Sequence, residues 1–585
     1  MKTRLINENF KSNYVDNLLA SRGIENVNMY YEPTADCLQN PCDLENISDA
    51  AVLLNSVIMA GGHILIVVDS DNDGFTSATI MYNYIKDIAP NTEIDYVLHE
   101  GKQHGLQDHI KKLIDEGKTY DLIILPDSSS NDYVYHEQLK EINTAVLVLD
   151  HHITDTELSS NAIVVNNQLS PKYKNKELTG AGVVYQFCRY LDMNYGVSYA
   201  DKYMDLAAWG IIGDMGSMLE LENRYIVREG LKNINNKLLE ALMTKQAYSI
   251  TGMMGASRQQ IIDALNPISV AFYIVPLVNA MIRVGTMAEK TRLFEAFLDG
   301  DKMIPSGKRG AKGTLDKAGT EAARECSNAR NRQNKTLEDA VFSIEAKIHK
   351  YGLLENRILF VRLEDEDVFP SELNGLVAMK LCAKFKRPTI VARLNKEGIN
   401  RGSMRGMNQS ELVSFKDFLE KSELFEYVAG HDNAAGVSIP NADLARFHKW
   451  ANEALIDIDF GENCYDVNFE RIAADEDLKD IILDIGAHGG IWGQQNDEPL
   501  IHVKDINITM NDVKIMGKGM DTVKIEKFGI SYMKFRAKDL IEDLKKYPTM
   551  KIEVVGRANV NHWAGNVIPQ IFIEDIEVTD GALGF

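Results

Sequence analysis

A chain of 585 residues, 45% apolar and 25% charged, has the composition of an ordinary globular protein and exceeds what one hydrophobic core serves, so three or four domains are expected. Its net charge of −22 argues against a protein that coats nucleic acid. It leaves room for an enzyme whose acidic residues gather round cations that the formal count omits. No stretch reads as a membrane span, the opening residues lack the apolar core of a signal peptide, and the six cysteines are scattered without a CxxC pair. A cytoplasmic protein with no membrane partner is the expectation.

The first half alternates apolar runs with helical patterns, as stacked βα units do. Residues 63–68 (HILIVV) read as a buried strand, followed by an acidic turn and a helix from about Thr76. Residues 121–126 (DLIILP) read as a second strand ending at Asp127, and 145–149 (AVLVL) as a third ending at Asp150, His151 and His152. Each strand delivers polar residues at its C-terminal end, where open parallel sheets place ligands. Residues 307–317 form a Gly- and Lys-rich loop ahead of a long polar helix, about 321–351. A second α/β segment follows, with strands at 358–361 and 389–391 and turns at 402–406 and 429–436. From about 459 the pattern changes to short strands of period two, as in a small β-barrel.

Asp69, Asp71 and Asp73 in VVDSDNDGFTSA alternate after a strand, which suits a hard cation, and Gly74 permits a sharp turn. An EF-hand fails, because position twelve would be Ile80 and a strand precedes the motif; an acidic helix-capping turn remains the plain alternative. Asp127 in LPDSSSND is weak alone. Asp150-His151-His152 offers carboxylate and imidazole, and Asp214 in GIIGDM follows an apolar segment where an unpaired carboxylate would be costly. Together they hold enough ligands for two cations, and mixed His/Asp ligation favours Mn²⁺ over a pure Mg²⁺ site.

With those residues in view, the chain resembles the DHH phosphoesterases and, almost end to end, RecJ-type exonucleases. DSDNDG matches the family's DxDxDG, LDHH its name motif and GIIGDM its later aspartate motif. ENRYIVREGL, IVPLVNAMIRVG, GSMRG and AGHDNAAG resemble RecJ segments in the same order, and WGQQNDEPLIH and NVNHWAGNVIPQIFIEDI resemble its OB-fold domain. The implied architecture is α/β: a parallel-sheet DHH catalytic domain (1–235), a helical connector with the basic loop (236–350), a smaller DHH-associated α/β domain (351–456) and an OB-like barrel that binds single strands (457–585).

The resemblance implies metal ligands at Asp69, Asp71, Asp127, His151, His152 and Asp214, with Asp73 close by and Asp150 orienting a histidine. It implies that Asn279, Arg283, Ser403 and Arg405 hold a 5′ phosphate, and that His431 and Gly430 line the scissile phosphate. The implied activity is Mn²⁺- or Mg²⁺-dependent 5′-to-3′ hydrolysis of single-stranded DNA in repair, recombination or replication. The implied protein is a monomer that meets single-strand-binding protein or a helicase. Departures are Gly101–Leu106 (GKQHGL), where the family has an Arg-containing segment and a Gly-Tyr-Gly-Leu-like turn, so that Lys102 or His104 stands in for the usual contacts; PSELNG at 370–375 instead of Trp-His-x-Gly; and Ile282 instead of Gly. They fit a divergent, viral member. Short DHH enzymes that cut oligonucleotides or cyclic dinucleotides, and a non-catalytic DHH-fold replication scaffold, are the competing expectations. The barrel disfavours the first and the full ligand set disfavours the second.

Overall fold

The computed structural model describes every residue except 102, 116–118, 155–157, 312, 365–366, 564–565 and 582–585. The chain forms two compact units, one of residues 26–333 with 490–497, the other of residues 1–25, 334–489 and 498–585.

In the first unit His63–Val68 (β1), Glu93–Leu98 (β2), Leu122–Pro126 (β3), Ala145–Asp150 (β4) and Ala162–Asn166 (β5) make an all-parallel sheet in the order β2-β1-β3-β4-β5. Ile64, Ile66 and Val68 face one core cluster, and Leu65 and Val67 face another. A strand covered on both faces has no polar side to show, which is why β1 is an unbroken apolar run. Asn72–Ile88 (α1), Gly180–Tyr195 (α2) and Met204–Gly213 (α3) pack on one another on one side of the sheet, around the buried Trp209. Chain direction across the sheet switches between β1 and β3, the point where open α/β sheets leave a crevice.

Two expectations change here. The helix after β1 starts at Asn72, not near Thr76, so Asp73 lies inside its first turn. The segment Pro267–Val284, ending in Val275–Val284 (α4), is by length and composition long enough to cross a membrane, against the expectation of none. It is 56% buried, with Val270, Ile274, Val278 and Met281 in the unit's core, so it is a core helix. The basic loop joins Met303–Pro305 to Leu315–Lys317, and acids offset two of its cations: Lys308 pairs with Asp316, and Lys317 with Asp301 at 2.7 Å. Ala318–Lys350 (α5) is the long polar helix, and the division between the units falls within it.

The second unit holds two large sheets and a two-stranded one. Leu359–Leu363 (β6), Thr389–Leu394 (β7), Ile399–Arg405 (β8), Tyr427–His431 (β9) and Ala434–Pro440 (β10) run in the order β9-β10-β8-β7-β6. Residues 402–405, expected in a turn, therefore lie on a central strand, where Ser403 faces Val391 on one side and Gly436 on the other. Residues 429–436 are a β9–β10 hairpin. The C-terminal sheet takes Phe469–Ile472 (β11), Leu500–Thr509 (β12), Val513–Met516 (β13), Thr522–Lys527 (β14), Ile530–Lys534 (β15), Thr549–Trp563 (β16) and Asn566–Asp580 (β17), ordered β11-β12-β16-β17-β15-β14-β13. Its spine is not short: β16 and β17 are 15 residues each, with a register shift at Val555/Gly556.

The first residues are tied to this unit. Lys2–Leu5 pairs in parallel with Cys464–Val467, Arg4 reaches Asp466 with two bonds of 2.8 and 2.6 Å, and Arg471 donates to the Phe10 carbonyl at 2.5 Å. Deleting residues 1–10 removes that strand and leaves the Arg471 side chain short of acceptors. Calorimetry is expected to show the melting transition of the second unit lowered by roughly 2–4 °C for each 1 kcal/mol lost, with the other transition unmoved; a shift shared by both would tie the segment elsewhere.

Candidate metal centre

The C-terminal ends of β1, β3 and β4 put Asp69, Asp127, Asp150, His151 and His152 on one edge of the parallel sheet. Asp71 caps α1, its Oδ1 accepting from the Gly74 N–H at 3.0 Å. Gly74 does not serve to turn the chain. A Cβ there would lie 2.5 Å from the Asp69 Cβ, so glycine lets the helix start against the strand end. A Cβ at Gly180 would lie 2.3 Å from the Asp127 Oδ1, and Asp127 itself holds the left-handed φ of 65°. Strain of this kind persists where the surroundings impose it.

Asp69, Asp73, Asp127 and Asp150 are each 2% exposed or less. Their surroundings differ. Asp150 is fully used: Oδ1 accepts from the His151 N–H at 2.7 Å, the His152 N–H at 3.2 Å and His152 Nδ1 at 2.7 Å, and Oδ2 from the Ser130 N–H at 3.0 Å. Burial opposes ionisation, but the His152 and Ser130 hydrogen bonds hold this carboxyl below the usual carboxylate range. His152 is in turn raised to about 9 against its own burial. Since the carboxylate can only accept, His152 donates from Nδ1 and keeps Nε2 for another partner. In the same way His104 donates from Nδ1 to Asp69 Oδ2 at 2.6 Å.

The other atoms are left over. Asp69 Oδ1, Asp73 Oδ2, Asp127 Oδ1 and His151 Nε2 are buried with no hydrogen-bond partner among the described residues. His151 Nε2 lies 3.2 Å from Asp127 Oδ1 and 3.4 Å from Asp214 Oδ2. Burial pushes Asp69 up to about 6, Asp73 to about 7 and Asp214 to about 7, and it raises Asp127 well above the ordinary range, with the neighbouring carboxylates adding to the last three. Burial also lowers His151. Ligand atoms of Asp69, Asp71 and Asp127, of Asp73, His151 and Asp214, and of Asp127, Asp150, His151 and His152 each fall within 4.8 Å of one another. Buried, orphaned carboxylate and imidazole atoms at that spacing fit divalent cations, which would neutralise the charge that burial penalises.

Of the remaining candidates, Arg283 lies on α4 close enough to feel the Asp71 charge, and the Asn279 Oδ1, one turn earlier, is buried without a donor. The other four belong to the second unit. Ser403 and Arg405 sit on β8, with the Arg405 Nη1 donating to the Met404 carbonyl at 2.7 Å. A Cβ at Gly375 would come within 2.6 Å of the Arg405 Nη2, so the unusual PSELNG segment leaves that guanidinium its space. Gly430, at φ 138°, and His431 are exposed on β9. Lys102 lies outside the described residues.

Sequence inspection missed Thr179 and Ala181, whose Oγ1 and N–H hold the Asp73 Oδ1 at 3.2 and 3.1 Å. It also missed Gly210, where a Cβ would lie 2.2 Å from the Asp73 Oδ1. The available signal was the run of small residues in LTGAG and WGIIG, which apolar pattern alone does not single out.

The DHH family N-terminal domain matches residues 63–211, and the RecJ OB domain matches residues 475–575. A protein of Bacillus phage SPbeta named "Putative single-strand DNA-specific exonuclease yorK" is 35% identical over 99% of this chain and 98% of its own. The chain belongs to the DHH family, in its RecJ-like branch. RecJ of Bacillus subtilis, a single-stranded-DNA-specific exonuclease, is 24% identical over 97% of this chain and 68% of its own. In fold, the crystal structure of RecJ from Thermus thermophilus in complex with Mn²⁺ aligns with a TM-score of 0.70 at 18% identity, covering 98% of this chain and 79% of that one. The OB match accounts for the long-stranded C-terminal sheet.

Raised carboxyl pKa values have a definite sign. Protonated Asp69, Asp73 and Asp214 support the fold at acid pH, and that support is lost as the pH rises through about 6 to 7. A cation binds the ionised forms and reverses the trend. In scanning fluorimetry the Tm in EDTA is expected to fall from pH 5 to pH 8, while the Tm gain on adding Mn²⁺ grows over the same window. A gain independent of pH would separate these carboxyls from any cation.

Proposed function

We propose that this RecJ-like chain is a metal-dependent exonuclease that hydrolyses single-stranded DNA from the 5′ end. The observation that carries it is the set of orphaned, buried ligand atoms on Asp69, Asp73, Asp127 and His151 at the sheet edge. The similarity over nearly the whole length to relatives named as single-strand DNA-specific exonucleases supports the substrate class. Asp69, Asp71, Asp127, His151, His152 and Asp214 would hold two ions, Mn²⁺ or Mg²⁺, with Asp73 in the same cluster. Such a pair supplies a water of lowered pKa and a clamp on the phosphodiester.

The chain's own groups do the rest. Asp150 fixes the two histidines through three hydrogen bonds and takes a fourth from the Ser130 N–H, so with both oxygens engaged it positions them rather than serving as a ligand. His104 holds the Asp69 carboxylate. Asn279, Arg283, Ser403 and Arg405 bind the terminal phosphate, where a guanidinium pairs best with a dianion. His431 and the Gly430 N–H line the scissile phosphate. The OB domain retains the strand, which favours a polymer over a dinucleotide substrate. A role in DNA repair, recombination or replication, a monomeric state and contact with single-strand-binding protein or a helicase belong to the same proposal.

The direct test incubates 5′- and 3′-labelled single-stranded DNA and RNA with Mn²⁺, Mg²⁺ or EDTA. Release of 5′ mononucleotides from DNA only with a metal is expected; metal-independent activity, or none, would overturn it. Asp127→Ala and His151→Ala are each expected to abolish hydrolysis with the circular dichroism spectrum retained, since both sit at strand ends. Near-normal Mn²⁺-dependent activity in either would remove it from the centre. Arg405→Ala is expected to lower kcat/KM on 5′-phosphorylated strands by about one to two orders of magnitude, the scale of one charged hydrogen bond at roughly 1.5–3 kcal/mol. Strands with a 5′ hydroxyl should lose less; an unchanged ratio between the two would take Arg405 out of the phosphate pocket.

A further inference from the structure

The helix carrying Asn279 and Arg283 is entered through a π-helical turn, Val270–Ile274, just ahead of Pro276. Proline has no N–H for the carbonyl of Phe272, four residues back, and in an α-helix its ring would press on that carbonyl. Widening the turn relieves both. The widened turn leaves two adjacent aromatic side chains in solvent, Phe272 at 73% and Tyr273 at 43% exposure.

Phe272, Pro276, Asn279 and Arg283 follow at helical spacings of four, three and four, so they share a face. Val270 just before them and Ile274, Val278 and Met281 between them lie in the core and turn that face away from it. At its far end Arg283 feels the attraction of Asp71 and the repulsion of Arg330. The Arg330 Nη1 donates to Gln333 Oε1 at 2.6 Å. Both guanidiniums are half-buried side by side, and the Gln333 Nε2 and Asn279 Oδ1 near them are buried with no hydrogen-bond partner among the described residues. One end of the face thus concentrates positive charge beside the metal cluster, and the other presents aromatic surface. A single strand has both complements along its length, phosphates for the guanidiniums and bases for the rings.

We propose that Phe272, with Tyr273 beside it, is a stacking platform for a base of the strand whose terminal phosphate is held at Arg283. The proposal rests on the exonuclease function above and extends it to the path of the substrate. Eleven residues of helix at about 1.5 Å each span roughly 16 Å, which is up to about five nucleotides at the 3.4 Å rise of a stacked strand. The platform therefore engages a base about three to five nucleotides from the end, whatever its identity, because every base has a π-face.

The test uses the full-length protein, Phe272→Ala and Phe272→Trp. Steady-state kinetics with Mn²⁺ compare a 5′-phosphorylated trinucleotide with a 20-mer. In EDTA, 20-mers carrying 2-aminopurine at successive positions report stacking without cleavage. The alanine variant is expected to raise KM on the 20-mer about ten-fold, the size of one base–aromatic stack, with an effect that shrinks on the trinucleotide. Tryptophan restores KM, and 2-aminopurine quenching centred three to five nucleotides from the 5′ end is lost in the alanine variant. Equal losses on both lengths, an unchanged KM or position-independent quenching would overturn the platform. So would binding to anionic vesicles that depends on Phe272 while strand binding does not, which would assign the patch to a lipid surface. Absence of hydrolysis by the wild type would sink the exonuclease function alone, since the fluorescence reads the platform without it.

Discussion

Four carboxylates with almost no contact with water, Asp69, Asp73, Asp127 and Asp150, crowd the C-terminal edge of one parallel sheet, and the rest of the first unit is arranged around that crowding. Buried like charges are tolerated only if they are protonated, hydrogen-bonded or neutralised by a cation. The chain uses the second solution in full at Asp150. It leaves the third open at the others, each of which keeps one oxygen with no hydrogen-bond partner among the described residues. The asymmetry divides the cluster by function: the satisfied carboxylate holds the imidazoles in place, and the unsatisfied ones form the surface a cation would meet.

Holding such a cluster together without its counter-charge takes a rigid frame. The continuous apolar strands, covered on both faces, supply that frame. The close packing of α1, α2 and α3 round the cluster depends on glycines at 74, 180 and 210, where any side chain would enter the space of Asp69, Asp127 or Asp73. The left-handed Asp127 belongs to the same pattern. A local rule is broken at Asp127, where the chemistry would sit, as expected of a site whose cost is met by the surrounding core.

This explains what was legible in the residues and what was not. β1, β3 and β4 stand out because burial on both faces makes them unbroken apolar runs, and the acidic and histidine motifs stand out because they interrupt those runs at the same point. β2 does not, since an edge strand such as EIDYVL mixes polar with apolar residues. Gly402–Arg405 looks like a turn because glycine and serine favour turns, yet Gly402 is needed where its Cβ would strike the Val391 carbonyl at 2.0 Å across the sheet. Close packing and turning leave the same letter in the sequence. The two 15-residue strands were hidden by the polar alternation of a half-exposed sheet, which reads as several short pieces. Ligand identity is local and legible; the donors that complete it, Thr179 and Ala181, come from more than a hundred residues away and carry no mark.

His104 shows how a metal-binding cluster and a substrate grip can diverge separately. Its ring is drawn onto Asp69, so a segment that departs from the family's Arg-containing pattern lends its polar side chain to the cluster. A ring committed to a carboxylate offers less to a nucleotide, and a strand-degrading enzyme must then find its hold elsewhere. The outward face from Phe272 to Arg283 is an alternative on the same unit, and its geometry follows from Pro276 through a backbone constraint rather than from any ligand motif. Cation ligands are confined by distance to a few strand-end positions, whereas stacking and phosphate contacts are available to any aromatic or basic residue along the path. Divergence of the chain is therefore expected in the grip, with the metal cluster as its fixed point.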